Sequence, residues 1–172
     1  MKLQDIRTRT AYNPNALPTQ KAAVRAWLGG MSKEFPLSLT LTLKQTIVET
    51  NDRGTYRRAL TRADCERIAR RFTQKLNRQV FGKYAADKCG KSLKYLTIVE
   101  GERSNKHLHF AIGGLPSHVK FNQFDTLVTN AKLQVEHVDS EHKVDITDSG
   151  WIEYITKEVG TKDTDNVLWT LF

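Results

Sequence analysis

Between residues 36 and 44 the chain alternates without a break. Leu37, Leu39, Leu41 and Leu43 fall on one side of an extended chain and Ser38, Thr40 and Thr42 on the other, the period of two that marks a strand with one buried face. From 61 to 81 the period changes: Cys65, Ile68, Ala69, Phe72, Leu76 and Val80 recur every three or four residues, predicting a helix with one apolar stripe. Thr61 is placed to cap it with Asp64 three residues on, and Gly82 to stop it. Two apolar runs follow, 93–99 and 107–112, with a polar turn between them, which is the pattern of a β-hairpin. Beyond the turn Gly113-Gly114-Leu115-Pro116, the residues Phe121, Phe124, Leu127 and Val128 predict a second helix with Ser117 as its cap. Leu133, Val135 and His137 alternate with polar neighbours and predict a strand over 132–139. A last helix is expected over 151–160, capped by Asp148 or Ser149.

Three shorter stretches complete the reading. Residues 18–28 predict a helix capped by Thr19 and ended by Gly29-Gly30, with Ala22, Ala23, Ala26 and Trp27 as a packing stripe. Residues 48–59, with Asp52-Arg53-Gly54, predict a loop or hairpin tip. The apolar end of the chain, 167–172, is expected to pack back onto the domain.

The order is therefore strand, helix, strand, strand, helix, strand, helix. Its first six elements predict an α+β fold of the ferredoxin-like split βαβ kind, a central antiparallel sheet with both long helices on one face. The seventh, a C-terminal helix carrying Tyr154, then lies across the open face. At 172 residues the chain is expected to form one domain over 18–172, preceded by an irregular basic arm over 1–17 that holds Lys2, Arg7 and Arg9. No apolar run approaches the roughly 20 residues of a membrane span, and the first residues lack the apolar core of a signal peptide. The expected location is cytoplasmic, where Cys65 and Cys89 read as small packing residues rather than a disulfide.

Charge changes the picture. Lys and Arg number 27 against 19 Asp and Glu, a formal net charge of +8, which favours a polyanionic partner and nucleic acid above all. The polar side of the long helix carries Arg67, Arg70, Arg71, Lys75 and Arg78, and the loop before it Arg53, Arg57 and Arg58. Both groups are candidate phosphate contacts.

The candidate chemistry lies in the hairpin. His107 and His109 flank Leu108, so on a strand both imidazoles project to one face while Leu108 and Phe110 project to the other. Glu100 ends the preceding strand, and antiparallel pairing brings its carboxylate toward them. Two nitrogens and an oxygen make a three-ligand site for a divalent metal with positions left open. Glu102, in the turn, is the alternative third ligand. Further on, Tyr154 and Lys157 stand three residues apart, on one face of the expected helix.

Taken together these residues resemble a known family. His107-Leu108-His109 is similar to the His-hydrophobic-His motif of the HUH endonucleases, Tyr154 with Lys157 to their Tyr-x-x-Lys motif, and residues 36–44 to the first strand motif of rolling-circle replication initiators. The three occur in the family's order and span about 36–159. A tyrosine placed after the histidines, and only one on its helix, resembles the single-tyrosine replication initiators. The resemblance implies a metal-dependent nickase and joining enzyme that acts on single-stranded DNA at a replication origin of a plasmid, phage or virus. Its nucleophile would be Tyr154, its metal ligands His107, His109 and Glu100, and its intermediate a 5′-phosphotyrosine. Lys157 would position the phosphate. A tyrosine hydroxyl ordinarily ionises only near pH ~10, so the cation's pull on the phosphate is part of that chemistry. The chain has no phosphate-binding Gly-x-x-x-x-Gly-Lys loop, so any helicase would be a separate or linked partner. A single-tyrosine transposase of the same superfamily and a non-catalytic single-stranded DNA or RNA binding module are the alternatives.

Overall fold

The structure, a computed structural model, describes residues 20–101, 105–148, 150–155, 166–168 and 171. Four strands form an antiparallel sheet: β1 (Leu37–Leu43), β4 (Lys94–Glu100), β5 (His107–Gly113) and β6 (Val138–Ile146), in the order β4-β5-β1-β6. A separate ribbon pairs β2 (Thr46–Asn51) with β3 (Gly54–Ala59). The helices are α1 (Gln20–Gly30), α2 (Arg62–Phe81), α3 (Lys83–Lys88), α4 (Phe121–Lys132) and α5 (Trp151–Ile155). None of these is long and apolar enough to cross a membrane.

Alternation in β1 works as the leucines predict. Leu37, Leu39, Leu41 and Leu43 are buried with Leu108, Phe110 and Ile112 of β5, and the same core takes in Ile68, Phe72 and Leu76 of α2 and Phe124 and Val128 of α4. Phe72 and Phe110 meet with ring centroids 5.5 Å apart. A smaller cluster covers the opposite face, where Phe35, Leu96, Ile98 and Ala111 pack with Ile155 of α5 and with Val167. Val167 bridges to Ile98, and Leu168 N–H donates to Thr97 O at 2.8 Å. The chain end thus covers the edge of β4, which would otherwise present unpaired backbone groups.

The start of α2 is fixed electrostatically. Thr61 and Asp64 form the expected reciprocal cap, and the carboxylate also meets the guanidinium groups of Arg58 and Arg67. Arg58, and then the Thr61 hydroxyl and amide, hold the Asp64 carboxyl well below the usual carboxylate range. Asp64 is buried, so its loss removes a cap worth about 1 kcal/mol together with a desolvated ion pair. Asp64→Ala is expected to lower the unfolding free energy by about 2–4 kcal/mol, read by urea denaturation at neutral pH. Because the folded-state value is depressed, this stabilisation is complete above the ordinary carboxylate range and is lost as pH falls below it. The gap between the two proteins should therefore narrow in acid.

Several expectations are corrected. The strand expected over 132–139 is instead the end of α4 followed by turns, with Val135 N–H donating to Lys132 O and Val138 N–H to Val135 O; β6 begins where it was to end. Helix α4 starts at Phe121 with Lys120 in the capping position, not Ser117. The stripe of α1, expected to be buried, is exposed at Ala22, Ala23, Ala26 and Trp27. Cys65 is buried as expected, but Cys89 is exposed. Of the two forms expected for 48–59 the structure has the hairpin tip, with Asp52-Arg53-Gly54 at the turn of the β2–β3 ribbon. The arm over 1–17 lies outside the described residues.

Candidate active site

Register assembles the site. Opposite residues of an antiparallel pair share a face. Glu100 pairs with His107 and Ile98 with His109 across β4 and β5, while Thr40 pairs with His109 and Thr42 with His107 across β1 and β5. Leu108 and Phe110 take the helix face, so both imidazoles, Glu100 and Thr40 stand on the other. This follows from β5 being an inner strand, flanked on each side.

His109 is held from three directions. Its Nδ1 lies 3.0 Å from Thr40 Oγ1 and its Nε2 2.5 Å from Glu100 Oε2. An ionised carboxylate only accepts, so in this arrangement Nε2 carries the proton, and with a neutral ring the Thr40 hydroxyl donates to Nδ1. A hydroxyl can also accept, so Thr40 holds the ring equally well when Nε2 gives up its proton to bind something else. The third direction is aromatic: Trp151 and Tyr154 each meet His109 edge-to-face with centroids 5.7 Å away. His109 is only 4% exposed as a result.

Helix α5 brings the phenol in. Ile155 anchors it in the smaller cluster at 3% exposure, and Trp151 and Tyr154, three residues apart, stack with centroids at 5.5 Å. Asp148 makes the turn into the helix, its Oδ1 accepting from Gly150 N–H at 2.9 Å. Tyr154 remains 46% exposed, so a ligand reaches a phenol that already touches the buried imidazole.

His107 is half-buried, its ring 6.4 Å from that of His109 and within 23° of parallel. Glu100 and His109 bond each other directly, and their donor types suit a hard or borderline divalent cation. Among the described residues, however, no three His, Cys, Asp or Glu side chains are gathered closely enough to hold a metal ion. Glu102 and Lys157 lie outside the described residues.

The remaining histidines are elsewhere. His142 pairs with Leu41 on the helix side, where Lys132 and Asp125 flank it at 2.8 and 3.2 Å. His118 is exposed, and His137 sits half-buried in the turn before β6.

The candidate DNA-binding cations are spread over two places. Arg67, Arg70, Arg71, Lys75 and Arg78 lie on α2, whose buried side packs against the sheet face opposite the histidines, so they are not brought to the site. Arg67 and Arg70 are paired with Asp64 and Glu66, and Arg78 with Asp87. Arg71 is exposed and Lys75 half-buried. In the ribbon, Arg58 is committed to Asp64 and to Glu49 at 2.6 Å, whereas Arg53 and Arg57 are exposed. Thr40 and Trp151 were not anticipated as site residues. Their signals were the polar side of β1 and an aromatic one helical turn before Tyr154.

No family model matches the chain, and no curated protein or solved structure matches it.

Proposed function

We propose that this chain is a metal-dependent endonuclease that nicks and rejoins single-stranded DNA through Tyr154, as rolling-circle replication initiators do. One observation carries the reading: the exposed Tyr154 ring stands 5.7 Å from His109, whose Nε2 meets Glu100. The strand order β4-β5-β1-β6 supports the ferredoxin-like split βαβ arrangement, with β2, β3 and α3 as additions to it.

The Tyr154 oxygen gives up its proton and attacks the scissile phosphorus, the bond from phosphorus to the 3′ oxygen breaks, and that oxygen takes up a proton in turn and leaves as a 3′-hydroxyl. The phosphodiester survives as a phosphotyrosine, so the 3′-hydroxyl of another end can reverse the step without ATP. Mn²⁺ or Mg²⁺ would be held by Glu100 and His109 with His107 turned in toward them, since the three are not gathered closely enough as they stand, and would neutralise charge on the attacked phosphate. Thr40 keeps the His109 ring oriented, Trp151 holds the phenol, and Lys157 positions the phosphate on the resemblance given above. Arg53 and Arg57 on the ribbon contact flanking phosphates.

A transposase using the same chemistry differs in its substrate rather than in this geometry. The non-catalytic module has an observation of its own in its favour, the half-exposed Trp151–Tyr154 stack, which is a platform for bases. A 3′-labelled single-stranded DNA library of random sequence, incubated with the protein and Mn²⁺, separates the two. A labelled band at the protein's position on a denaturing gel is expected, since the 3′ fragment stays attached. Retained DNA binding without that band would leave the binding module. Thr40→Val, which removes the hydroxyl and keeps the shape, is expected to slow adduct formation by roughly 10- to 100-fold with little change in unfolding midpoint.

A further inference from the structure

Beside the candidate active site a cleft of about 170 Å³ opens between β1, β6 and the start of α5. Its walls include Ser38, Thr40, Lys143, Asp145, Asp148 and Trp151. Two of these belong to both places. Thr40 bonds His109 on one side and pairs with Lys143 across β1 and β6 on the other. Trp151 lines the cleft while touching His109 and Tyr154. A ligand in the cleft is therefore a neighbour of whatever Tyr154 attacks.

The walls have a chemistry. Lys143 and Asp145 form an exposed pair at 3.2 Å, and Lys143, followed by the Ile146 amide, holds the Asp145 carboxyl below its ordinary range. Asp148 is exposed, using Oδ1 for the Gly150 amide. Trp151 Nε1 is buried and, among the described residues, has no acceptor. At roughly 30 Å³ per water the space equals about six waters, room for one flat heterocycle.

We infer that this cleft holds the base of the nucleotide adjoining the scissile phosphate and reads its amino group. The inference rests on the endonuclease reading and deepens it. The base packs against Trp151, as bases do on aromatic side chains. Asp148 and Asp145 accept from exocyclic amino or ring N–H groups, the carboxylate readout that suits guanine, cytosine and adenine. Thymine has no amino group, and its one ring N–H is flanked by two carbonyls that meet the same carboxylates with repulsion. Lys143 takes the nucleotide's phosphate, a contact blind to sequence.

The test titrates the four deoxynucleoside 5′-monophosphates into ¹⁵N-labelled protein and follows its three tryptophan indole signals, that of Trp151 being identified with Trp151→Phe. The Trp151 signal should move with dGMP, dAMP or dCMP, and with dTMP at least about tenfold less tightly. Asp148→Asn should erase most of that preference, and Lys143→Ala should weaken all four alike. In parallel, an abasic residue is walked along an oligonucleotide that forms the covalent adduct; beside the nick it should slow the adduct by about tenfold or more. Equal affinity for all four nucleotides, or an adduct indifferent to the abasic residue, overturns the base pocket while leaving the endonuclease intact. Selective nucleotide binding at Trp151 in a protein that forms no adduct overturns the endonuclease and leaves the pocket.

Discussion

Tyr154→Phe is expected to abolish the covalent DNA adduct, with a loss of at least about 1,000-fold, while single-stranded DNA binding stays within about twofold of the parent. The phenyl ring keeps the stack on Trp151 and the edge contact with His109, and Tyr154 is half in solvent, so the fold loses little. Only the attacking oxygen is missing. Adduct yield on a denaturing gel is the readout, with affinity measured on the same preparation by fluorescence anisotropy. A Phe variant that still forms the adduct would place the nucleophile on another residue.

The second large effect is expected at His109. His109→Gln should reduce the adduct rate by about 100-fold or more, with binding of DNA in the absence of metal unchanged. The ring is nearly buried and joins Thr40, Glu100, Trp151 and Tyr154, so the substitution strikes the one group through which the others meet. Glutamine keeps a polar end for Thr40 or Glu100 and limits the cost to the fold. Thermal unfolding of both proteins checks that point. Higher Mn²⁺ should recover part of the rate if the loss lies in metal affinity, and none if His109 only packs.

Much of this site could be read before the fold was known, and the reason is geometric. A strand places alternate residues on one face without any tertiary information, so His107 and His109 were paired by spacing alone. The hairpin then needed only its register to bring Glu100 opposite His107. The leucines of β1 and the stripe of α2 were legible for the same reason, since each pattern has one period and one buried side. What failed lacked such a signal. The sequence Leu133, Val135, His137 alternates, yet backbone turns at the end of α4 took those residues, and the true strand β6 is mostly polar because it lies at the sheet's edge with little to bury. Ser117 looked like a cap, but the helix waits until Phe121 because Val119 N–H is spent on Pro116 O in a turn. Thr40 and Trp151 carried only weak signals, the polar side of β1 and an aromatic one turn before Tyr154, because each acts on a histidine distant in sequence. The cations of α2 were read as one surface, whereas Asp64, Glu66 and Asp87 neutralise three of them.

The most direct measurement is the chemical location of the DNA on the protein. Trypsin cuts after Lys143 and Lys157, and the peptide between them, VDITDSGWIEYITK, holds Tyr154 as its one tyrosine. Mass spectrometry of the trypsin- and nuclease-digested adduct is expected to find this peptide carrying a nucleotide on Tyr154 through a phosphodiester. A nucleotide on any other peptide, or the peptide recovered wholly unmodified from a preparation that has nicked its DNA, would contradict the account.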